Sequence, residues 1–256
     1  MNIKMIVTDL DGTLLTTDKT ISEYTKSVLC KCRNANIKVA YATARGGSAE
    51  RLVPNSLVDG KIRMNGAVAK IGNDVVYERL IPHQLACPFL MACDKRGLKI
   101  TAESYDEHGT IHYANKHMHT AYYDEHQKLV DMSQHNIDSE KIFMVDLTPD
   151  DEEFITSQLP ASLYFLMLRE ANRFGMIMHK EATKAKAVSA LAQFWGIKQS
   201  EIVAFGDDVN DIDLLTFAGI GVAMGNALGT VKNVADFVCL DNDSNGVAKW
   251  LEENVL

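Results

Sequence analysis

The sequence predicts an α/β fold, a core of parallel strands interrupted by an inserted α+β domain. Three observations predict it. Short apolar runs rich in β-branched residues alternate with helical periodicity at both ends of the chain. Three of those runs stop at polar residues, Asp9, Thr43 and Asp207. Between the two ends, residues 82–178 lose the regular alternation and become rich in His and Tyr.

The elements follow in order. Residues 3–8 form a short apolar run that ends at Asp9, the pattern of a buried strand. Ser22 is placed to cap a helix with Val28, Leu29 and Cys32 on its apolar face, closing near Asn34-Ala35-Asn36. Residues 37–42 make a second strand, ending at Thr43. Strand, helix, strand at this spacing is a βαβ unit, which implies a parallel sheet. In the middle, residues 142–145 and 163–168 read as strands, and residues 104–124 as loops and exposed helix. Pro82 and the Met178-His179-Lys180 region mark the crossings, which gives a core of residues 1–81 and 179–256 and an insertion of residues 82–178.

After the insertion, residues 184–195 carry Ala187, Val188, Leu191, Phe194 and Trp195 at helical spacing, and Gly196 is placed as the C-terminal cap. Residues 202–205 form a strand that runs into Gly206-Asp207-Asp208. Residues 211–217 read as a helix, 220–224 as the next strand and 236–240 as the last, before a closing helix from Gly246.

Composition excludes several classes. A chain of 256 residues, 46% hydrophobic and 23% charged, buries a substantial core. The net charge of -8 argues against nucleic acid or an anionic membrane as partner. The N-terminal residues have neither the length nor the flanks of a secretory signal, and no apolar stretch nears the roughly 18 residues that span a bilayer. Cys30, Cys32, Cys87, Cys93 and Cys239 are odd in number and lack paired C-x-x-C knuckles, so they read as reduced thiols. The expectation is a cytoplasmic protein; oligomeric state leaves no mark on the sequence.

The chemistry gathers at the strand ends. In Asp9-Leu10-Asp11-Gly12-Thr13-Leu14, residues two apart on an extended chain face one side, so Asp9 and Asp11 can share a site. Two carboxylates so close repel, which calls for a cation between them or a proton on one. Gly206-Asp207-Asp208-Val209-Asn210-Asp211 gathers acids at a second strand end, and oxygen-only ligands point to a hard cation such as Mg²⁺. Thr43-Ala44-Arg45 offers a hydroxyl and backbone amides for an anion, and Lys184 offers neutralising charge at a helix start. Each motif alone also reads blandly: a turn, an Asp-rich cap, a helix N-cap, a solvated lysine. Convergence of three strand ends on one sheet edge, where open α/β sheets bind ligands, favours the site.

With those residues in view, the chain resembles the haloacid dehalogenase superfamily, and within it the Cof-type phosphatases with a large subclass IIB cap. The resemblance covers nearly the whole chain, through the Asp9 and Gly206 motifs, Ala42-Thr43-Ala44-Arg45, Asn65-Gly66-Ala67, Lys184, and Ala223-Met224-Gly225-Asn226-Ala227. Ala44, and the absence of glycine before Lys184, depart from the usual pattern. The resemblance implies a Rossmann-like core with an α+β cap, and a phosphatase acting on small phosphorylated metabolites such as sugar phosphates. It implies Asp9 as nucleophile and Asp11 as acid and then base, kept protonated by its negative neighbour. It implies Mg²⁺ held by Asp9, the Asp11 carbonyl and Asp207 with Asp211 nearby, and phosphoryl oxygens bound by Thr43, Ala44, Lys184 and Asn210.

The inserted domain is expected to choose the leaving group. His108, His112, His117, His119 and His126 fall within it, and read as polar surface sooner than as a second metal site; Tyr113, Tyr122 and Tyr123 read first as cap packing. Rival readings are a phosphomutase of the same superfamily and a non-catalytic regulatory relative. A dinucleotide site at Gly219-Ile220-Gly221-Val222-Ala223-Met224-Gly225 is set aside, since its third glycine is one residue late.

Overall fold

A computed structural model describes residues 2–106, 109–121, 127–168 and 173–256. The chain divides into two compact units, Met1–Glu78 with Thr183–Leu256, and Arg79–Ala182. Strands run in chain order as β1 (Met5–Thr8), β2 (Lys38–Ala42), β3 (Gly60–Arg63), β4 (Val68–Ile71) and β5 (Asp74–Glu78) in the first unit. The second unit holds β6 (Lys99–Asp106), β7 (Gly109–Ala114), β8 (Gln127–Leu129), β9 (Lys141–Val145), β10 (Leu163–Leu168) and β11 (Phe174–His179). The chain then returns to the first with β12 (Ile202–Gly206), β13 (Ile220–Ala223) and β14 (Phe237–Val238).

The first unit is an eight-stranded sheet in the order β14-β13-β12-β1-β2-β3-β4-β5. Pairing is parallel from β14 to β3 and antiparallel from β3 through β5. The middle strands are apolar throughout because helices bury both faces of a parallel sheet; Ile6, Val7, Val39, Ala40, Val203 and Phe205 are all inaccessible to solvent. Helices Glu23–Asn34 and Gly246–Asn254 pack together, as do Lys184–Trp195 and Ile212–Phe217.

Local signals set the helix ends. The Ser22 hydroxyl accepts from Thr25 N, and Gly196 takes the left-handed conformation (φ 67°) that closes the Lys184 helix. The expected last strand shortens to Phe237–Val238, and the expected helix from Asp211 begins as a 3₁₀ turn, Val209–Asp211. Strands β3 to β5 go beyond the expected elements: Gly-Lys-Ile-Arg is too short and too polar to show as a strand, and the neighbour β2 supplies the template.

Register positions the site. Thr8 of β1 lies opposite Tyr41 of β2 and Phe205 of β12. Asp9, Thr43 and Asp207 therefore leave the sheet at nearly one level, on its carboxyl edge.

The second unit is a six-stranded sheet in the order β10-β11-β9-β6-β7-β8, antiparallel except for β7 with β8. Helices His83–Arg96 and Pro149–Gln158 cover one face through Phe89, Leu90 and Ile155 against Ile100, Ala102, Ile142, Met144 and Ile177. Here the reading of residues 104–124 as loops and exposed helix is corrected in part: a helix is present, but strands take the place of the loops before it. The segment holds the end of β6, β7 and the helix Lys116–Ala121. The polar positions that suggested loop are sheet positions with partners: Ser104, buried, lies opposite Ile111 of β7 and donates its hydroxyl to Asp138 O at 2.9 Å. His108, Tyr122, Tyr123 and His126 lie outside the described residues. No helix among the described residues is long and apolar enough to cross a membrane.

Candidate active site

Asp9 begins where β1 stops, its amide donating to Phe205 O (3.0 Å) so that the backbone stays in the sheet plane. The residue is 6% exposed. Lys184, the first residue of its helix and fully buried, donates to Asp9 Oδ1 at 2.6 Å and to Asp211 Oδ1 at 2.5 Å. The other oxygen of Asp211 accepts from the amides of Asp207 (2.9 Å) and Asp208 (3.1 Å). Asp211 thus fixes both the lysine and the loop that carries Asp207.

Glycines permit this density. A Cβ on Gly12 (φ 74°) would overlap the Asp207 carboxyl, and one on Gly66 (φ 99°) would overlap the Thr183 carbonyl at the start of the Lys184 helix. Thr13 donates to Asp207 Oδ1 at 2.6 Å. Asn226 donates to the Gly12 carbonyl (2.8 Å) and accepts from Asn242 N (3.1 Å), tying the turn after Asp11 to the C-terminal part of the chain.

The electrostatics follow from a count. Asp9, Asp207 and Asp211 bring three negative charges and Lys184 one positive, a balance of -2. Burial pushes the Asp9 carboxyl up to about 7; Lys184 opposes this, while Asp211 and Asp207 add to it. Burial likewise pushes Asp207 up to about 6. Burial works against the ammonium of Lys184, yet the two facing carboxylates prevail and hold it protonated.

That excess is what a divalent cation would offset. One oxygen from each of the three aspartates lies within 4.8 Å of the others. Since both Asp211 oxygens already accept hydrogen bonds, the oxygens on offer to an ion belong to Asp9 and Asp207. An all-oxygen set with this charge fits Mg²⁺.

Asp11 stands apart from the cluster. Its carboxyl faces Arg45, which donates Nε to Oδ2 at 2.5 Å and Nη2 to Oδ1 at 2.7 Å, and Lys19, whose Nζ is 2.7 Å from Oδ1. The guanidinium holds this carboxyl down at about 2, partly offset by burial and reinforced by Lys19. The expected proton on Asp11 is therefore absent in this arrangement, because its close neighbours are cations and not the Asp9 carboxylate.

The remaining expected residues sort as follows. Thr43 is buried, its hydroxyl accepting from Arg45 N at 3.1 Å, and Ala44 is half-buried beside it. Asn210 donates to Asn65 Oδ1 at 2.9 Å. Sequence reasoning missed the side chains of Arg45, Thr13 and Lys19 as parts of the site. Arg45 and Thr13 lie inside motifs already singled out; Lys19 carries no local signal.

Fold and site together define an α/β enzyme with an oxygen-rich cluster on the carboxyl edge of a parallel sheet. A family model of haloacid dehalogenase-like hydrolases matches residues 6–251, and the chain belongs to that family. It is 29% identical over 271 residues to the putative phosphatase YxeH of Bacillus subtilis, covering 99% of this chain and 98% of that one. It is also 29% identical over 270 residues to the 5-amino-6-(5-phospho-D-ribitylamino)uracil phosphatase YitU of the same organism, covering 97% and 96%. Among solved structures, a superfamily phosphatase of Bacteroides thetaiotaomicron superposes with a TM-score of 0.83 at 27% identity, covering 98% of this chain and 94% of that one. A subclass IIB sugar phosphatase superposes with a TM-score of 0.80 at 28% identity, covering 98% of each chain. The resemblance seen in the sequence motifs is thereby borne out, and the chain stands among the phosphoric monoester hydrolases of the family.

Proposed function

We propose that this protein is a cytoplasmic, Mg²⁺-dependent phosphatase of small phosphorylated metabolites, sugar phosphates first among them, working through an aspartyl-phosphate on Asp9. The observation that carries the reading is the buried Asp9 carboxyl held by Lys184 beside Asp207. Lys184 fixes the rotamer of the nucleophile and lowers the charge that an incoming phosphate meets.

In the first half-reaction an Asp9 oxygen bonds to phosphorus, the bond to the leaving oxygen breaks, and that oxygen takes a proton from Asp11, whose carboxyl must first turn away from Arg45 and Lys19 to carry one. In the second, Asp11 takes a proton from the attacking water as the Asp9–phosphorus bond breaks, which re-arms it for the next turnover. Thr43, the Ala44 backbone, Lys184 and Asn210 bind the phosphoryl oxygens. Asp9, Asp207 and the Asp11 carbonyl would hold the Mg²⁺, anchored by Asp211; bound there, the ion supplies charge stabilisation to the transferring phosphoryl group. The unit Arg79–Ala182 is assigned the choice of leaving group.

The test is phosphate release from hexose and pentose phosphates, a ribityl phosphate and an aryl phosphate, each with Mg²⁺ and with chelator. Metal-dependent release is expected, and Asp9→Asn abolishes it. An isomerised sugar phosphate in place of free phosphate would convert the reading to a mutase, and full activity of Asp9→Asn would end it.

A further inference from the structure

Lys19 belongs to none of the motifs, yet a tight turn delivers it to the site. Thr16 N donates to Thr20 O at 2.9 Å and Lys19 N to Thr16 O at 2.8 Å. Thr17 is tied to Asp243 through its amide (2.8 Å) and its hydroxyl (2.7 Å). Lys19 itself sits at φ 59°, in the left-handed region that residues other than glycine and asparagine seldom occupy. Backbone strain of this kind is held where the surroundings demand it. The result is an ammonium 2.7 Å from Asp11 Oδ1.

The geometry of the carboxyl explains why a second cation matters. Arg45 grips both oxygens as a fork and fixes the plane of the group. A fork alone lets the two side chains swing together. The third bond, from a separate turn anchored on Asp243, removes that freedom.

We propose that Lys19 is a positioning residue, which with Arg45 holds the Asp11 carboxylate where it takes the proton from the water that cleaves the aspartyl-phosphate. The proposal rests on the phosphatase reading above. In that step the water oxygen bonds to phosphorus, the Asp9 oxygen–phosphorus bond breaks, and the proton passes to Asp11; Lys19 neither gains nor loses one. Positioning errors of this order cost large factors in rate.

The experiment is steady-state and rapid-mixing kinetics of Lys19→Met on an aryl phosphate with saturating Mg²⁺, beside wild type and Lys19→Arg. The expected result is a fall in kcat of ten-fold or more, with a much smaller fall in kcat/KM. A burst of aryl alcohol close to one per enzyme should accompany it, because breakdown of the aspartyl-phosphate has become slow. Lys19→Arg should recover most of kcat. An equal fall in kcat and kcat/KM with no burst, or no change in either, would overturn the proposal. Should Lys19→Met unfold, Asp243→Ala, which frees the turn, should show the same burst, and its absence there would also overturn it. Wild-type enzyme releasing no phosphate would instead defeat the phosphatase reading itself.

Discussion

At the scale of single residues the site is governed by one ammonium among three carboxylates. Replacing Lys184 by Met leaves buried Asp9 and Asp211, beside half-buried Asp207, with no counter-charge. Breaking a buried pair in this way costs about 3–5 kcal/mol, and urea unfolding at pH 8 should show it together with loss of turnover. Asp9→Asn does the reverse: it removes one charge from a cluster with a surplus. That variant should unfold at a higher temperature than wild type in chelator while being inactive, and a lower Tm would contradict the charge count. Asp9, Lys184, Asp207 and Asp211 were legible in the sequence because each stands at a strand end or a helix start. The partners of Asp11 were not. Lys19 reaches it only through the turn at Thr16–Thr20 and its tie to Asp243, contacts that no local pattern announces.

At the scale of elements, the start of the Lys184–Trp195 helix is the joint on which Asp9, the proposed nucleophile, depends. Thr183 caps it by accepting from Lys186 N. Thr183→Ala should lower stability by about 1 kcal/mol and lower kcat as well, since the first helical residue is the lysine that holds Asp9. A stability loss with unchanged kcat would mean that the cap and the lysine are uncoupled. Strands β1, β2 and β12 were readable because both their faces are buried and their sequences are continuously apolar. The β3–β5 extension was not, since its strands mix charged residues, lysine and arginine in β3 and β4 and aspartate and glutamate in β5, into four- or five-residue runs. The end of β6 and β7 were misread for a related reason: Ser104 and His112 look solvent-directed until their cross-strand partners, Ile111 and Glu103, are known.

At the scale of the whole molecule, the raised Asp9 and Asp207 make stability depend on pH and on metal together. Their folded values, about 7 and about 6, lie above the ordinary carboxyl value of 3.8. Between those limits the folded chain binds more protons than the unfolded one, so in chelator these groups make stability fall as pH rises from 4 to 7. A divalent ion competes with those protons. The gain in Tm on adding Mg²⁺ should therefore be larger at pH 8 than at pH 5.5, and differential scanning calorimetry with equal gains at both would refute the assignment of these two carboxylates to the ion.

The neighbours of β1 have a consequence for synthesis. One side of that strand is filled by β2, which leaves the ribosome soon after it, while the other side waits for β12, nearly 200 residues later. At ordinary translation rates the wait lasts about 10–40 s. Throughout it, Met5-Ile6-Val7-Thr8 has no partner on that side, so a nascent chain not yet extended through Ile202 should be held by chaperones until the missing strand arrives.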